Sequence, residues 1–165
     1  MNAEEDDHDI VVKLTRNFEG IEFSSEKLEE LVKLVCTRFG PARETKTAYE
    51  VSIAVVDDEE IRKLNKSFGE IDSVTDCLSF DLSEADKDLP RLFEVVVNGE
   101  KAVREAENRG HSPEAELSLY VTHSLLHNLG FDDSGPDQAE KMHDTEDEIL
   151  QELGFGLVYS KNKRA

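Results

Sequence analysis

Ser112-Pro-Glu-Ala-Glu-Leu-Ser-Leu-Tyr-Val-Thr-His-Ser-Leu-Leu-His-Asn-Leu-Gly130 is the stretch on which the fold turns. Ser112 followed by Pro113 is the expected cap and first-turn pair of a helix, and Gly130 is a stop. Between them, Leu117, Leu119, Tyr120, Val121, Leu125, Leu126 and Leu129 surround the helix on most sides. A helix that is apolar nearly all round has to be covered nearly all round. This one is therefore expected at the centre, with everything else packed about it.

The flanking segments supply that cover. Upstream, Asn98 caps a short helix through Ala102, Val103 and Ala106, closed by Gly110; downstream, Pro136 opens a last helix with Ala139, Met142, Ile149, Leu150 and Leu153. Toward the N-terminus, Ile10 to Leu14 is a β-branched run that reads as a strand. Ser25 caps a helix whose Leu28, Leu31, Val32, Val35 and Phe39 follow the i, i+3, i+4, i+7 rule, and Gly40-Pro41 ends it. Tyr49, Val51, Ile53 and Val55 alternate as a half-buried strand does. Asp57 or Asp58 caps a helix with Ile61, Leu64 and Phe68 on one side, and Glu59 and Lys63 add an i, i+4 pair. Thr75 to Leu82 and Phe93 to Val97 read as two more strands. The acidic loop between them suits an antiparallel return and is too short for a helical crossover. The order β-α-β-α-β-β-α-α-α describes an α+β fold, a small mixed four-stranded sheet packed against helices.

At 165 residues the chain has the size of a single domain, 1–165, with an acidic arm (1–8, joined by Asp9) and a polar tail (160–165) expected to be flexible. Acids outnumber bases by 38 to 19, for a net charge of −19, which excludes a polybasic DNA-coating protein but leaves room for a local basic patch. No apolar run reaches the ~18–20 residues of a membrane span. The N-terminus is acidic where a leader would be basic, so a cytoplasmic location is expected. Cys36 and Cys77 have no cysteine neighbour at metal-site spacing and read as packed thiols in a reducing compartment.

Chemistry concentrates in His123-Ser-Leu-Leu-His127-Asn-Leu-Gly130-Phe-Asp-Asp133. Two histidines four apart stack one turn above the other on a helix and can share a metal ion. Gly130 permits the left-handed turn that folds the chain back, and Asp133 can then supply a third ligand. Three ligands leave a fourth position for water, as catalytic zinc sites do. One divalent metal is expected, zinc above the iron, nickel or manganese that the same donors also accept. Zinc proteases of related pattern carry Glu directly after the first His as general base; here that residue is Ser124, which disfavours peptide hydrolysis.

The same residues carry a resemblance. The segment is similar to the motif of the YbeY family of bacterial rRNA-maturation endoribonucleases, His-Gly-x-Leu-His-Leu-x-Gly-Tyr-Asp-His, with His123, Leu126, His127, Gly130 and Asp132 in register. Leu64-Asn65 and Thr75-Asp76-Cys-Leu78-Ser79-Phe80 resemble two further family segments, and Met142 with the acidic run before Ile149-Leu150 a third. The resemblance runs from about Val51 to Leu153. It implies a metal-dependent endoribonuclease acting on ribosomal RNA or a ribosomal subunit in rRNA maturation and ribosome quality control.

The chain also departs from the family pattern. The third metal His is Asp133, the family's activity-linked Arg is Gly69, Gly-Asp or Gly-Glu becomes Phe93-Glu94, and the Pro after Ser-Phe becomes Asp81. A carboxylate ligand lowers the site's charge and makes a bound water less acidic. Loss of the Arg removes a clamp for phosphate charge. Arg62 and Lys66 share a helix face and are the weak candidates for RNA contact. Lys63 lies in the same cluster. His8 and His143 are read as surface residues, with His143 a remote substitute ligand. A catalytically weakened, metal-stabilised RNA- or ribosome-associated module and, last, a metallopeptidase are the competing readings.

Overall fold

The computed structural model describes residues 9–40, 48–86 and 88–159. In chain order the elements are β1 (Asp9–Arg16), α1 (Ser25–Phe39), β2 (Ala48–Val56), α2 (Asp58–Gly69), β3 (Cys77–Asp81), β4 (Arg91–Asn98), α3 (Gly99–Arg109), α4 (Pro113–Asn128) and α5 (Pro136–Glu152). The order is the one the hydrophobic pattern predicts. The acidic arm with Asp6, Asp7 and His8, Pro41, and the tail from residue 160 lie outside the described residues.

The four strands form one mixed sheet in the order β1-β2-β4-β3. β1 and β4 run parallel to β2, whereas β3 returns antiparallel along β4. Period-two alternation sets the register: Val51, Ile53 and Val55 of β2 stand beside Phe93, Val95 and Val97 of β4 on one face. Those six side chains are at most 2% exposed and join α1 and α4 in the main core. On the opposite face, Val56, Val96 and Ile61 of α2 make a smaller cluster. α4 is the centre that its composition requires; Leu117, Val121, Leu125 and Leu126 are fully buried. Cys36 is buried too, and burial pushes its thiol up to about 12, as expected of a packed cysteine.

Several local expectations are revised. Ser24, not Ser25, caps α1 by accepting from the Lys27 amide at 3.1 Å, while its own amide donates to Glu114 and ties α1 to the first turn of α4. Asp9 belongs to β1, opposite Ala48, rather than to the acidic arm. β3 is shorter than Thr75–Leu82; at its start Asn98, the last residue of β4, donates its backbone amide to the Asp76 carbonyl and its side-chain amide to the Thr75 carbonyl. Asn98 in turn caps α3. β4 is longer than Phe93–Val97, since β2 pairs with it over its whole length. Phe68 is 69% exposed: α2 is anchored to the sheet at Ile61, and its last turn overhangs, leaving Phe68 edge-on to Phe80.

A buried polar network closes the C-terminal end. Glu116 of α4, 1% exposed, takes Arg109 and His111, and Arg109 also donates to the carbonyls of Val158 and Tyr159. A buried carboxylate without such partners would cost on the order of several kcal/mol. With them it fixes where the chain from Phe155 to Tyr159 runs. Among the described residues, no helix is long and apolar enough to cross a membrane.

Candidate metal centre

His123 and His127 lie one turn apart on α4, and their Nε2 atoms approach to 3.2 Å. α4 ends in a tight reversal: Gly130 adopts φ +102, and the Phe131 amide donates to the Leu126 carbonyl. Phe131 seats its ring edge-on against Phe39 of α1, which anchors the loop. Asp132 then accepts from both the amide and the hydroxyl of Ser134, which holds its carboxyl below the usual range and shapes the next turn. Asp133 is thereby delivered with Oδ2 at 3.7 Å from His123 Nε2 and 3.6 Å from His127 Nε2.

The three donor atoms form a triangle of 3.2, 3.6 and 3.7 Å. Tetrahedral zinc with ligand distances of about 2.0–2.1 Å holds its donors about 3.3–3.4 Å apart. The residues fit the ion. Side-chain exposures of 24%, 32% and 39% leave one side of the triangle open to solvent, where a fourth ligand has room.

Behind His123 stands a group that no local sequence pattern marks. Glu146 of α5 is wholly buried, and its Oε2 lies 2.5 Å from His123 Nδ1. A carboxylate there keeps the proton on Nδ1 and leaves the Nε2 lone pair aimed at the triangle. Its other oxygen takes His143 Nδ1 at 2.8 Å, and the His143 ring stacks on Tyr159 at 3.6 Å. His143 is thus no surface residue, because Glu146 and Tyr159 hold it in place. Burial alone would raise the Glu146 carboxyl, but the His123 and His143 hydrogen bonds outweigh it and hold it below the usual range. Burial likewise pulls His123 down, and Glu146 reverses the sign, so the imidazole titrates above its ordinary value. His123, His143 and Glu146 also cluster closely enough for an ion. Their spacings of 2.5 and 2.8 Å are hydrogen-bond lengths, shorter than the edges of a metal polyhedron, so this set supports the first. The signal in the sequence was the acidic run after Met142, where nothing marked which acid points inward.

The remaining candidates are dispersed. Arg62 makes a two-point ion pair with Asp72, and Lys66 stands exposed beside it on α2. Gly69 closes α2, and a Cβ there would meet only Asn65 Oδ1 at 3.3 Å. Ser124 is buried and turned toward Cys77, whose thiol burial raises well above its usual value.

A family profile described as Endoribonuclease YbeY matches residues 13–154. Among similar proteins, an Endoribonuclease YbeY of Thermoanaerobacter sp. (strain X514) is 35% identical over 142 residues, covering 78% of this chain and 89% of that one. Another of the same description, from Aquifex aeolicus, is 31% identical over 149 residues, 90% of this chain and 93% of its own. A solution structure of a Thermotoga maritima protein superposes with a TM-score of 0.57 at 22% identity, over 87% of this chain and 89% of that one, and so shares the fold.

Proposed function

We infer that this chain, which belongs to the YbeY family of endoribonucleases, is a metal-dependent endoribonuclease of ribosomal RNA maturation and ribosome quality control, acting in the cytoplasm on ribosomal RNA or a ribosomal subunit. The observation that carries the metal is the triangle of His123, His127 and Asp133 donors at zinc spacing. Bound there, zinc would supply Lewis acidity toward a phosphoryl oxygen or a water. The chain's own groups do the rest. Glu146 orients His123 and fixes its tautomer, Asp133 lowers the charge of the centre, and the open side of the triangle admits a phosphodiester. Ser124, buried under the site, offers no base of the kind peptide hydrolysis requires.

A second reading has its own observation. Gly69 carries no side chain and the Arg62 guanidinium is taken by Asp72, so the phosphate clamp is weak, which favours a metal-stabilised RNA-associated module. The test uses full-length protein, zinc-loaded or chelator-stripped, with His127→Ala alongside, on a structured RNA and on casein. Cleavage of RNA that needs both zinc and His127 supports the enzyme. RNA binding without cleavage supports the module, and full metal occupancy in His127→Ala refutes the ligand assignment.

A further inference from the structure

After α5 the chain runs back to the metal centre, where buried, charged contacts hold it. The Tyr159 amide donates to Asp147 at 3.1 Å. Arg109, itself paired with the buried Glu116, donates to the carbonyls of Val158 and Tyr159 at 3.1 and 2.9 Å. The Tyr159 ring lies flat on His143 with 3.6 Å between centroids, and the His143 ring lies 6.2 Å from that of His123. Burying charges is a costly route to stability. What these charges secure is position: the backbone leaves Tyr159 beside the metal centre. The sequence it carries from there is Ser160-Lys-Asn-Lys-Arg164, three cations and no acid in five residues, which lies outside the described residues. A chain extends at most about 3.6 Å per residue, so Lys161 begins no more than about 7 Å from Tyr159 whatever its course.

Position matters because the rest of the chain offers little to a polyanion. The net charge is −19, and Arg38, Arg62, Lys63, Arg91 and Arg104 are each drawn to a carboxylate. Gly69 supplies no charge at all. Affinity for RNA is built largely from phosphates neutralised by Lys and Arg, so local cations are needed where the strand meets the metal. Lys101 of α3 is placed to provide one. It lines a cavity that His123, His143 and Tyr159 also line, and it forms no ion pair among the described residues. Asp76 and Glu105 line the same cavity and repel an anion from its interior, so a strand is held across the rim. Resting on the nuclease reading above, we propose that Lys101 and the cations that follow Tyr159, Lys161, Lys163 and Arg164, form a phosphate-binding strip along this rim. Its ligand is the backbone of single-stranded RNA next to the scissile phosphate. Contacts of this kind hold and orient a strand without reading its sequence.

The test reads salt dependence. Zinc-loaded, full-length protein is titrated with a fluorescein-labelled single-stranded RNA at salt concentrations from about 50 to 200 mM. Binding is read before cleavage, and gels of the same mixtures report cleavage. Each phosphate neutralised on a single strand adds about −0.7 to the slope of log affinity against log salt. Four such contacts give a slope of about −2.8, an affinity about 50-fold weaker at the top of that range than at the bottom. Lys161→Gln, Lys163→Gln and Arg164→Gln combined should remove about 2 of that slope, and Lys101→Gln about 0.7. Lys101→Arg, Lys161→Arg and Lys163→Arg should retain it, because the charge is kept. A single-stranded DNA of the same sequence should show the same slope, since the phosphates are common to both. Zinc content and circular dichroism are followed in every variant. A slope unchanged in either glutamine variant, a slope seen with RNA alone, or loss of zinc from the triple variant, which would make the segment a support of the metal centre, each overturns the strip while RNA cleavage by the wild type stands. If RNA is neither bound nor cut, the nuclease reading fails and the strip fails with it.

Discussion

Replacing Glu146 by Gln keeps the shape of the side chain and removes the second acceptor. Glu146 is wholly buried and receives two imidazoles, His123 at 2.5 Å and His143 at 2.8 Å. Glutamine can accept from only one of them; its amide nitrogen would face the other Nδ1–H donor to donor. If Gln keeps His123, the unmet group is His143, and the cost is stability, about 1–3 kcal/mol for one buried unsatisfied donor. If Gln keeps His143, His123 loses the partner that fixes its tautomer, and zinc affinity drops about 10- to 100-fold, the usual effect of losing a carboxylate behind a ligand histidine. At about 1.4 kcal/mol per decade, that is about 1.4–2.8 kcal/mol of binding. With both imidazoles in the Nδ1–H tautomer the two outcomes draw on the same buried acceptor, and one of them is expected. The assays are competition with a chromophoric zinc chelator and urea unfolding of the metal-free protein, wild type against Glu146→Gln. A variant with wild-type zinc affinity and wild-type unfolding midpoint would refute the role given to Glu146.

Gly130→Ala adds a methyl group into open space but forces an L-residue to φ +102, which should cost about 1 kcal/mol or more in unfolding free energy and weaken zinc binding through displacement of Asp133. Unchanged stability and metal affinity would mean that the loop finds another route. Gly69→Arg places a cation where α2 ends, with only Asn65 in its way, and should raise RNA cleavage on the order of tenfold or more at fixed zinc and salt. Cleavage that does not rise places position 69 away from the reacting phosphate. Arg104 and then Asn98 hold the Asp58 carboxyl below its usual range against partial burial, so its contribution to stability is intact at neutral pH. That contribution is lost as pH falls through and below the ordinary carboxylate range, and Asp58→Asn should flatten this part of the stability profile in acid titrations of the unfolding midpoint.

Local order was legible in the chain. Each long element announces itself by period: the alternation of Tyr49, Val51, Ile53 and Val55, the i, i+3, i+4 row of α1, and the apolar girth of α4. The histidine pair was legible for the same reason, since a spacing of four on a helix fixes proximity without reference to the rest of the molecule. Gly130 and the position of Asp133 extended that local argument by one turn.

What tertiary structure decided are the contacts between segments far apart in sequence. Glu146 is one of several acids on α5, and nothing local distinguishes it from Glu140 or Glu148; only the packing of α5 against α4 buries it beneath His123, 23 residues away. His143 looks like a surface residue until Arg109 brings the backbone at Tyr159 back across 50 positions and stacks that ring upon it. Arg62 reads as a free cation until the chain after α2 returns Asp72 to it. Even the entry to β3 is fixed from a distance, because Asn98 at the end of β4 reaches back with its side-chain amide to the Thr75 carbonyl, 23 residues away. Periodicity reports which face of an element is apolar, whereas burial of one particular charge depends on which element arrives over it, and that is settled only when the whole chain packs.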